Sequence, residues 1–148
     1  KLSKCRCTSR FTVSENKSKF TIVSKQVSEV DKIKIDGCFD SSSEHRKCDY
    51  LFVYTPASPS NCIYIFVELK GTDIAQIGNT VNLFYNQGYL KDKKVIGAIV
   101  SSRHPSNDGT YRKAKQTLEK SLSSKIKDFR IEKKNKEMTY DPTHDKVI

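Results

Sequence analysis

Glu68-Leu69-Lys70 closes a run that is otherwise apolar, Cys62-Ile63-Tyr64-Ile65-Phe66-Val67. Core packing gives no reason for a carboxylate and an ammonium at the end of such a strand. Successive strand side chains alternate faces, so Glu68 and Lys70 share one face and Leu69 takes the other. An earlier run, Cys48-Asp49-Tyr50-Leu51-Phe52-Val53-Tyr54, is rich in aromatic and branched residues. Between the two runs lie Pro56 and Pro59 among small polar residues, which break regular structure and centre a turn near Ser58. A simple antiparallel hairpin about that centre sets Asp49 across from or next to Glu68, where directly opposed Cβ atoms stand about 4.5–5.5 Å apart. Two carboxylates that close repel unless a cation or a proton comes between them. A hard divalent ion such as Mg2+, with Mn2+ as a substitute, takes a few carboxylate oxygens and retains waters. Such an ion lowers the pKa of its water and neutralises charge on a phosphodiester. Lys70 beside it would orient the attacking water or help to deprotonate it. The chemistry expected is phosphodiester hydrolysis, with Asp49 and Glu68 as the metal ligands. The plainer alternative, an exposed Glu68–Lys70 ion pair worth under about 1 kcal/mol, leaves Asp49 without a role.

These residues need a framework. Phe11–Val13 and Phe20–Val23 read as short strands around a polar turn at Ser14–Ser18. Val30–Ile35 alternates and ends at Asp36-Gly37, a turn signal, with Cys38-Phe39 continuing the strand beyond a bulge. Residues 40–47 form a polar loop. Cys62–Lys70, apolar on both faces, reads as the central strand of a covered sheet. Thr72 or Asp73 can cap a helix on which Ile74, Ile77, Val81, Phe84 and Tyr85 fall at helical spacing, with Gly88 at its terminus. Val95–Val100 is another buried strand, Ser101–Gly109 a loop, Thr110–Ser124 a basic amphipathic helix and Phe129–Ile131 the start of a last strand. The tail from Lys133 is polar and expected to fray. The fold class expected is α/β in the α+β sense: a mixed, mainly antiparallel central sheet flanked by helices. It forms one domain over residues 1–148 with its core at about 30–131.

The formal charge of +10 is unevenly spread. Residues 1–48 carry 11 basic and 6 acidic side chains, residues 49–100 carry 4 of each, and residues 101–137 carry 11 and 5. A neutral middle between two basic flanks suits a polyanionic partner. Arg103, after a buried strand, and Arg112, Lys113, Lys115 and Lys120, on the second helix, are the candidates for holding a nucleic-acid backbone. His45 and His104 lie in loops. No run reaches the roughly 18–20 apolar residues of a membrane helix, and Lys1-Leu2-Ser3-Lys4 does not read as a secretory leader. The five cysteines, Cys5, Cys7, Cys38, Cys48 and Cys62, are odd in number, and free thiols in a reducing cytoplasm are expected. A zinc site from Cys5, Cys7 and His45 or Cys48 is the weaker alternative, because Cys5-Arg6-Cys7 is too tight for a usual knuckle.

Asp49, an interval containing a β-turn, and then Glu68-Leu69-Lys70 resemble the PD-(D/E)xK nucleases, whose core is that of type II restriction endonucleases. Cys48 stands where that pattern has proline. The resemblance covers residues 30 to 100. It implies a core of a helix, three antiparallel strands, a helix and a strand, of which the first helix has no counterpart in this reading. Gln76, on the helix after the motif, resembles the supporting glutamine of RecB-like and Cas4-like branches, though at a different spacing. Many members carry a further upstream glutamate, for which Glu15 and Glu29 are the candidates. The resemblance implies a Mg2+-dependent endonuclease acting on DNA, with a homodimer as one way to cut two strands. Host defence, a mobile element and junction resolution are the settings it suggests. The alternatives are a catalytically silent nucleic-acid-binding module on the same fold and a protein-interaction subunit whose basic flanks meet an acidic partner.

Overall fold

The structure, a computed structural model, describes residues 5, 11–15, 17–24, 29–39, 47–56, 62–69, 74–101 and 109–148. In chain order the elements are β1 (Thr12–Glu15), β2 (Ser18–Ile22), β3 (Val30–Lys34), β4 (Tyr50–Tyr54), β5 (Ile63–Glu68), α1 (Ile74–Asn86), β6 (Lys94–Ser101), α2 (Gly109–Ser123), β7 (Asp128–Asn135), β8 (Glu137–Asp141) and β9 (Lys146–Val147). They make an α+β fold of two mixed sheets. One has the order β3-β4-β5-β6-β7 and the other β1-β2-β8-β9. In the larger sheet β3, β4 and β5 run antiparallel to their neighbours, and β5, β6 and β7 run parallel. The parallel steps are made by helical crossovers, α1 between β5 and β6 and α2 between β6 and β7.

β5 occupies the centre of that sheet because its run is apolar up to Val67, and all six residues, Ile63, Tyr64, Ile65, Phe66, Val67 and Glu68, are buried. Its two faces enter two different cores. Cys62, Tyr64 and Phe66 pack with Ile74, Ile77, Val81 and Phe84 of α1, with Leu51 and with Ile131. Ile63, Ile65, Val67 and Leu69 pack with Val13, Phe20, Ile22, Met138 and Tyr140 of the smaller sheet. The helices therefore cover one face only, and a second sheet covers the other. The α+β class expected from the sequence holds, and the smaller sheet is an addition to it. Val13, Phe20 and Ile22 on one side and Met138 and Tyr140 on the other recur at period two, which buries a strand face rather than a helix stripe.

Gly97 lets α1 sit close. A Cβ there would meet Ile77 Cγ2 at 2.7 Å, so the strand presents bare backbone where the helix presses hardest. Gly88 ends α1 at φ +83°, the left-handed position at which glycine carries no Cβ penalty.

Four expectations change. Ser14 and Glu15 belong to β1 and Ser18 to β2, because Ser14 pairs with Lys19 and Glu15 with Ser18. Cys38 and Phe39 lie in a turn, not in a continued strand. Cys38 is disulfide-bonded to Cys5, while Cys48 and Cys62 are free and buried. Free thiols thus hold for two of the cysteines, and Cys5 is engaged in a bond that a zinc site would need open. The tail does not fray: β8 pairs parallel with β2 and antiparallel with β9, and Met138 and Tyr140 are almost fully buried. No helix among the described residues is long and apolar enough to cross a membrane.

Candidate active site

The β4–β5 ladder fixes where the two carboxylates meet. Tyr50 pairs with Val67, Leu51 with Phe66 and Tyr54 with Ile63. The ladder ends at the Tyr50–Val67 pair, and Asp49 lies in a bend just before β4. Alternation within β5 puts Glu68 on the α1 face with Tyr64 and Phe66.

Asp49 is held on three sides. Its N–H donates to the Val67 carbonyl at 3.0 Å, and its carbonyl accepts from the Ile35 N–H at 3.0 Å, so it joins β5 and the end of β3. Its carboxylate Oδ2 accepts from the Leu69 N–H at 2.8 Å. The side chain thereby finishes the ladder where backbone pairing runs out, and it points along the strand end occupied by Glu68. Asp49 is 6% exposed and Glu68 1%, so neither is a surface ion-pair partner. Lys47, two residues before Asp49, is buried as well. Chain order alone places it in the polar loop of residues 40–47.

Cys48 ties this end of the sheet to α1. Its N–H donates to Thr80 Oγ1 at 2.9 Å, and the Thr80 hydroxyl donates to the Gln76 carbonyl at 2.8 Å. Thr80 is fully buried. A proline at position 48 would lack the N–H that makes the first of these bonds, so here the residue before the aspartate is a hydrogen-bond donor. Burial pushes the Cys48 thiol far above its usual range; the Thr80 hydrogen bond opposes the rise, and the negative charges of Glu68 and then Asp49 add to it. Both carboxylates are therefore within electrostatic reach of one buried sulfur, which stays protonated.

A cation between Asp49 and Glu68 would have carboxylate oxygens on both sides. That donor set fits Mg2+, which takes one or two carboxylates and keeps waters. The protonated thiol of Cys48 offers such a hard ion nothing. Among the described residues no three His, Cys, Asp or Glu come together as a metal-binding group.

The other candidates distribute unevenly. Gln76 is half-buried in the first turn of α1, linked through its carbonyl and Thr80 to Cys48. Lys70, Arg103, His45, His104 and the helix-capping Thr72 and Asp73 lie outside the described residues. Glu29 sits at the far end of β3, where its carbonyl accepts from the Thr55 N–H at 2.8 Å. Glu15 ends β1, on the smaller sheet. Helix α2 runs back from the carboxylate end of β6 toward the start of β7. Exposed Arg112 and Lys113 and half-buried Lys115 thus lie nearer that end, and exposed Lys120 lies in the last turn, roughly 10 Å further along the axis than Lys113.

A second charged cluster, not legible from the chain, occupies the opposite end of the sheet. Asp145, at φ +51°, accepts from Lys94, from Arg130 Nη1 at 3.0 Å and from the Tyr140 hydroxyl at 2.8 Å. Burial works to raise the Asp145 carboxyl, but the hydrogen bonds from Arg130, Lys94 and Tyr140 outweigh it and hold the group well below the usual carboxylate range.

The chain matches no protein-family model, no curated protein and no solved structure.

Proposed function

We propose that this protein is a Mg2+-dependent endonuclease that hydrolyses phosphodiester bonds in DNA, with its site at Asp49, Glu68 and Lys70. The observation that carries the reading is the buried pair Asp49 and Glu68, brought together at one end of the sheet where the Asp49 carboxylate accepts from the N–H of Leu69, the residue after Glu68. Burying like charges side by side is costly, and a divalent cation held by both carboxylates lowers that cost. The order β3, β4 and β5, then α1, then β6 parallel to β5 is the order the nuclease resemblance implies after its opening helix, which has no counterpart among the described residues, and it supports the same reading.

Asp49 and Glu68 hold the cation in this proposal. When bound, the ion supplies charge neutralisation at the scissile phosphate and an acidified water. The Leu69 N–H fixes the Asp49 carboxylate before any ligand arrives, so little ordering is left for binding to drive. Lys70, next on the Glu68 face by strand alternation, orients the attacking water and takes part in its deprotonation. Gln76 supports the site from α1.

The test is a cleavage assay on plasmid, linear, branched and single-stranded substrates with Mg2+, Mn2+ and EDTA. The expected result is cleavage that appears with Mg2+ or Mn2+ and stops with EDTA. Tight, Mg2+-indifferent binding with no cleavage of any substrate would replace the nuclease with the silent nucleic-acid-binding module.

A further inference from the structure

The two basic flanks of the sequence meet in space at one place. β2 and β8 are parallel neighbours, with Lys19 opposite Glu137, and the Lys19 N–H donates to the Lys136 carbonyl at 2.9 Å. Lys17 is the residue before β2, and Lys134 is two residues before Lys136. Segments 17–19 and 134–136, at opposite ends of the chain, thus set four lysines around one corner where the two sheets join. All four are exposed. Among the described residues no ion pair holds any of their ammonium groups. Against them stand Glu137, exposed across from Lys19, and half-buried Glu15.

The corner lies at the carboxylate end of the molecule. Glu68 pairs with Ile99 on β6, and two residues on, the Ser101 carbonyl accepts from the Lys136 N–H at 2.7 Å. Strand spacings of about 4.8 Å and a rise of about 3.3 Å per residue put the Lys136 backbone on the order of 10–15 Å from that of Glu68. Duplex DNA carries one phosphate per strand for every 3.4 Å of axis, so that interval spans about three or four nucleotides.

Two of the four positions are conformationally fixed. Lys17 has φ +69° and Lys136 φ +67°, where asparagine or glycine sits more comfortably than lysine. Lysine at both corners forgoes the better turn residue and keeps a charge. The patch lacks the apolar anchors of a membrane-binding surface: the exposed large hydrophobic residues among those described are Val23 and Ile148, neither of them at this corner.

We infer that Lys17, Lys19, Lys134 and Lys136 form a phosphate-backbone interface that seats duplex DNA across the carboxylate end of the two sheets. The inference rests on the nuclease reading for the choice of DNA, but it concerns binding, which is measured separately. It also displaces α2 as the main contact, since the rim gathers charge from both flanks and α2 from one.

The test uses the full chain, with affinity for a fluorescent 30-base-pair duplex measured by anisotropy in Ca2+ over a salt series. One variant carries Lys17→Asn, Lys19→Gln, Lys134→Gln and Lys136→Asn, with asparagine chosen for the two left-handed positions. A second carries only Lys19→Gln and Lys134→Gln, at ordinary strand positions, and stands in if the first fails to fold. A third carries Lys113→Gln and Lys115→Gln on α2. The expected result for the rim variant is a slope of log K against log salt less steep by roughly 3–4, and affinity about ten- to a hundred-fold weaker at 0.1 M salt. The strand pair should lose about half that slope, and the α2 pair should lose less than the strand pair. An unchanged slope in the folded rim or strand variant overturns the interface, as does equal loss in the α2 variant. Binding by the wild type to phosphatidylserine vesicles but not to the duplex overturns it in favour of a membrane. Rim-dependent binding without any cleavage sinks the nuclease reading alone, and cleavage with rim-independent affinity sinks the interface alone.

Discussion

Asp49 has one observed task and one proposed task, and their requirements can be separated. As the acceptor for the Leu69 N–H it needs an oxygen, and as the proposed metal ligand it would need a charge. Asp49→Asn keeps the first in weakened form and loses the second. Asp49→Asn and Glu68→Gln should each weaken Mg2+ binding by roughly tenfold or more, since even outer-shell partners of metal sites are worth ten- to a hundredfold. Isothermal titration with Mg2+ checks this, and unchanged affinity in both variants would place the cation elsewhere. Lys70→Ala should abolish cleavage while leaving the circular dichroism spectrum and much of the DNA affinity intact, because its proposed task is at the water. Wild-type turnover in that variant would remove it from the mechanism. Thr80 offers a test that needs no ligand. Thr80→Val keeps the shape of the side chain but strands the buried Cys48 N–H, which donates to Thr80 Oγ1 at 2.9 Å. Leaving a buried donor unsatisfied costs about 1–3 kcal/mol, readable in a urea melt. If Gln76 supports the site through this link, the same variant should also lower turnover.

At the level of elements, the site was legible because one hairpin carries it. The apolar run 62–67 marks a central strand, two prolines mark the turn, and the register then follows, so Tyr50 opposite Val67 was within reach of chain reading. Of the smaller sheet only β1 and β2 were legible as strands; β8, β9 and the assembly were not. β8 shows only Met138 and Tyr140 as apolar positions in a polar tail, and its partner β2 lies over a hundred residues away in the chain, which no local pattern records. The Cys5–Cys38 bond is hidden for the same reason, since pairing among odd cysteines depends on proximity in space. Nor does the sequence reveal why Gly97 interrupts a strand of branched residues. The answer lies in the facing helix: Ile77 Cγ2 occupies the space a Cβ would take. That methyl is bonded directly to the branched Cβ of Ile77, which cannot swing away freely. Gly97→Ala should therefore shift α1 off the sheet and cost about 1–3 kcal/mol. Because α1 also holds Thr80 and Gln76, the variant should lose Mg2+ affinity together with stability. A Gly97→Ala protein as stable as the wild type in urea would show that α1 is not pressed against the strand at that point.

Across the whole molecule, the two ends of the larger sheet are charged in different ways. The carboxylate end buries Asp49 and Glu68 together with Lys47; the other end holds a half-buried acid among the chain's own cations. There the short β9 and its turn are held down by Asp145, which binds Lys94 at the start of β6, Arg130 on β7 and Tyr140 on β8. Three strands of two sheets are thereby fastened by one carboxylate. Its pKa in the folded protein lies below the ordinary value of 3.8, so the unfolded chain takes up its proton first as the solution is acidified. The contribution of Asp145 to stability is then fully present above the ordinary carboxylate value, fades as pH falls below 3.8 and is gone once the folded group itself is protonated. Asp145→Asn should lower stability at pH 7 by about 1–2 kcal/mol, the figure for charge-assisted bonds discounted for a side chain 37% exposed. The deficit should shrink steadily as the comparison is repeated from pH 5 down to pH 2. Thermal melts of both proteins across that range read the difference directly. A deficit independent of pH would mean that Asp145 acts by shape alone, through its left-handed turn, and that the charge on this end of the sheet does not hold the two sheets together.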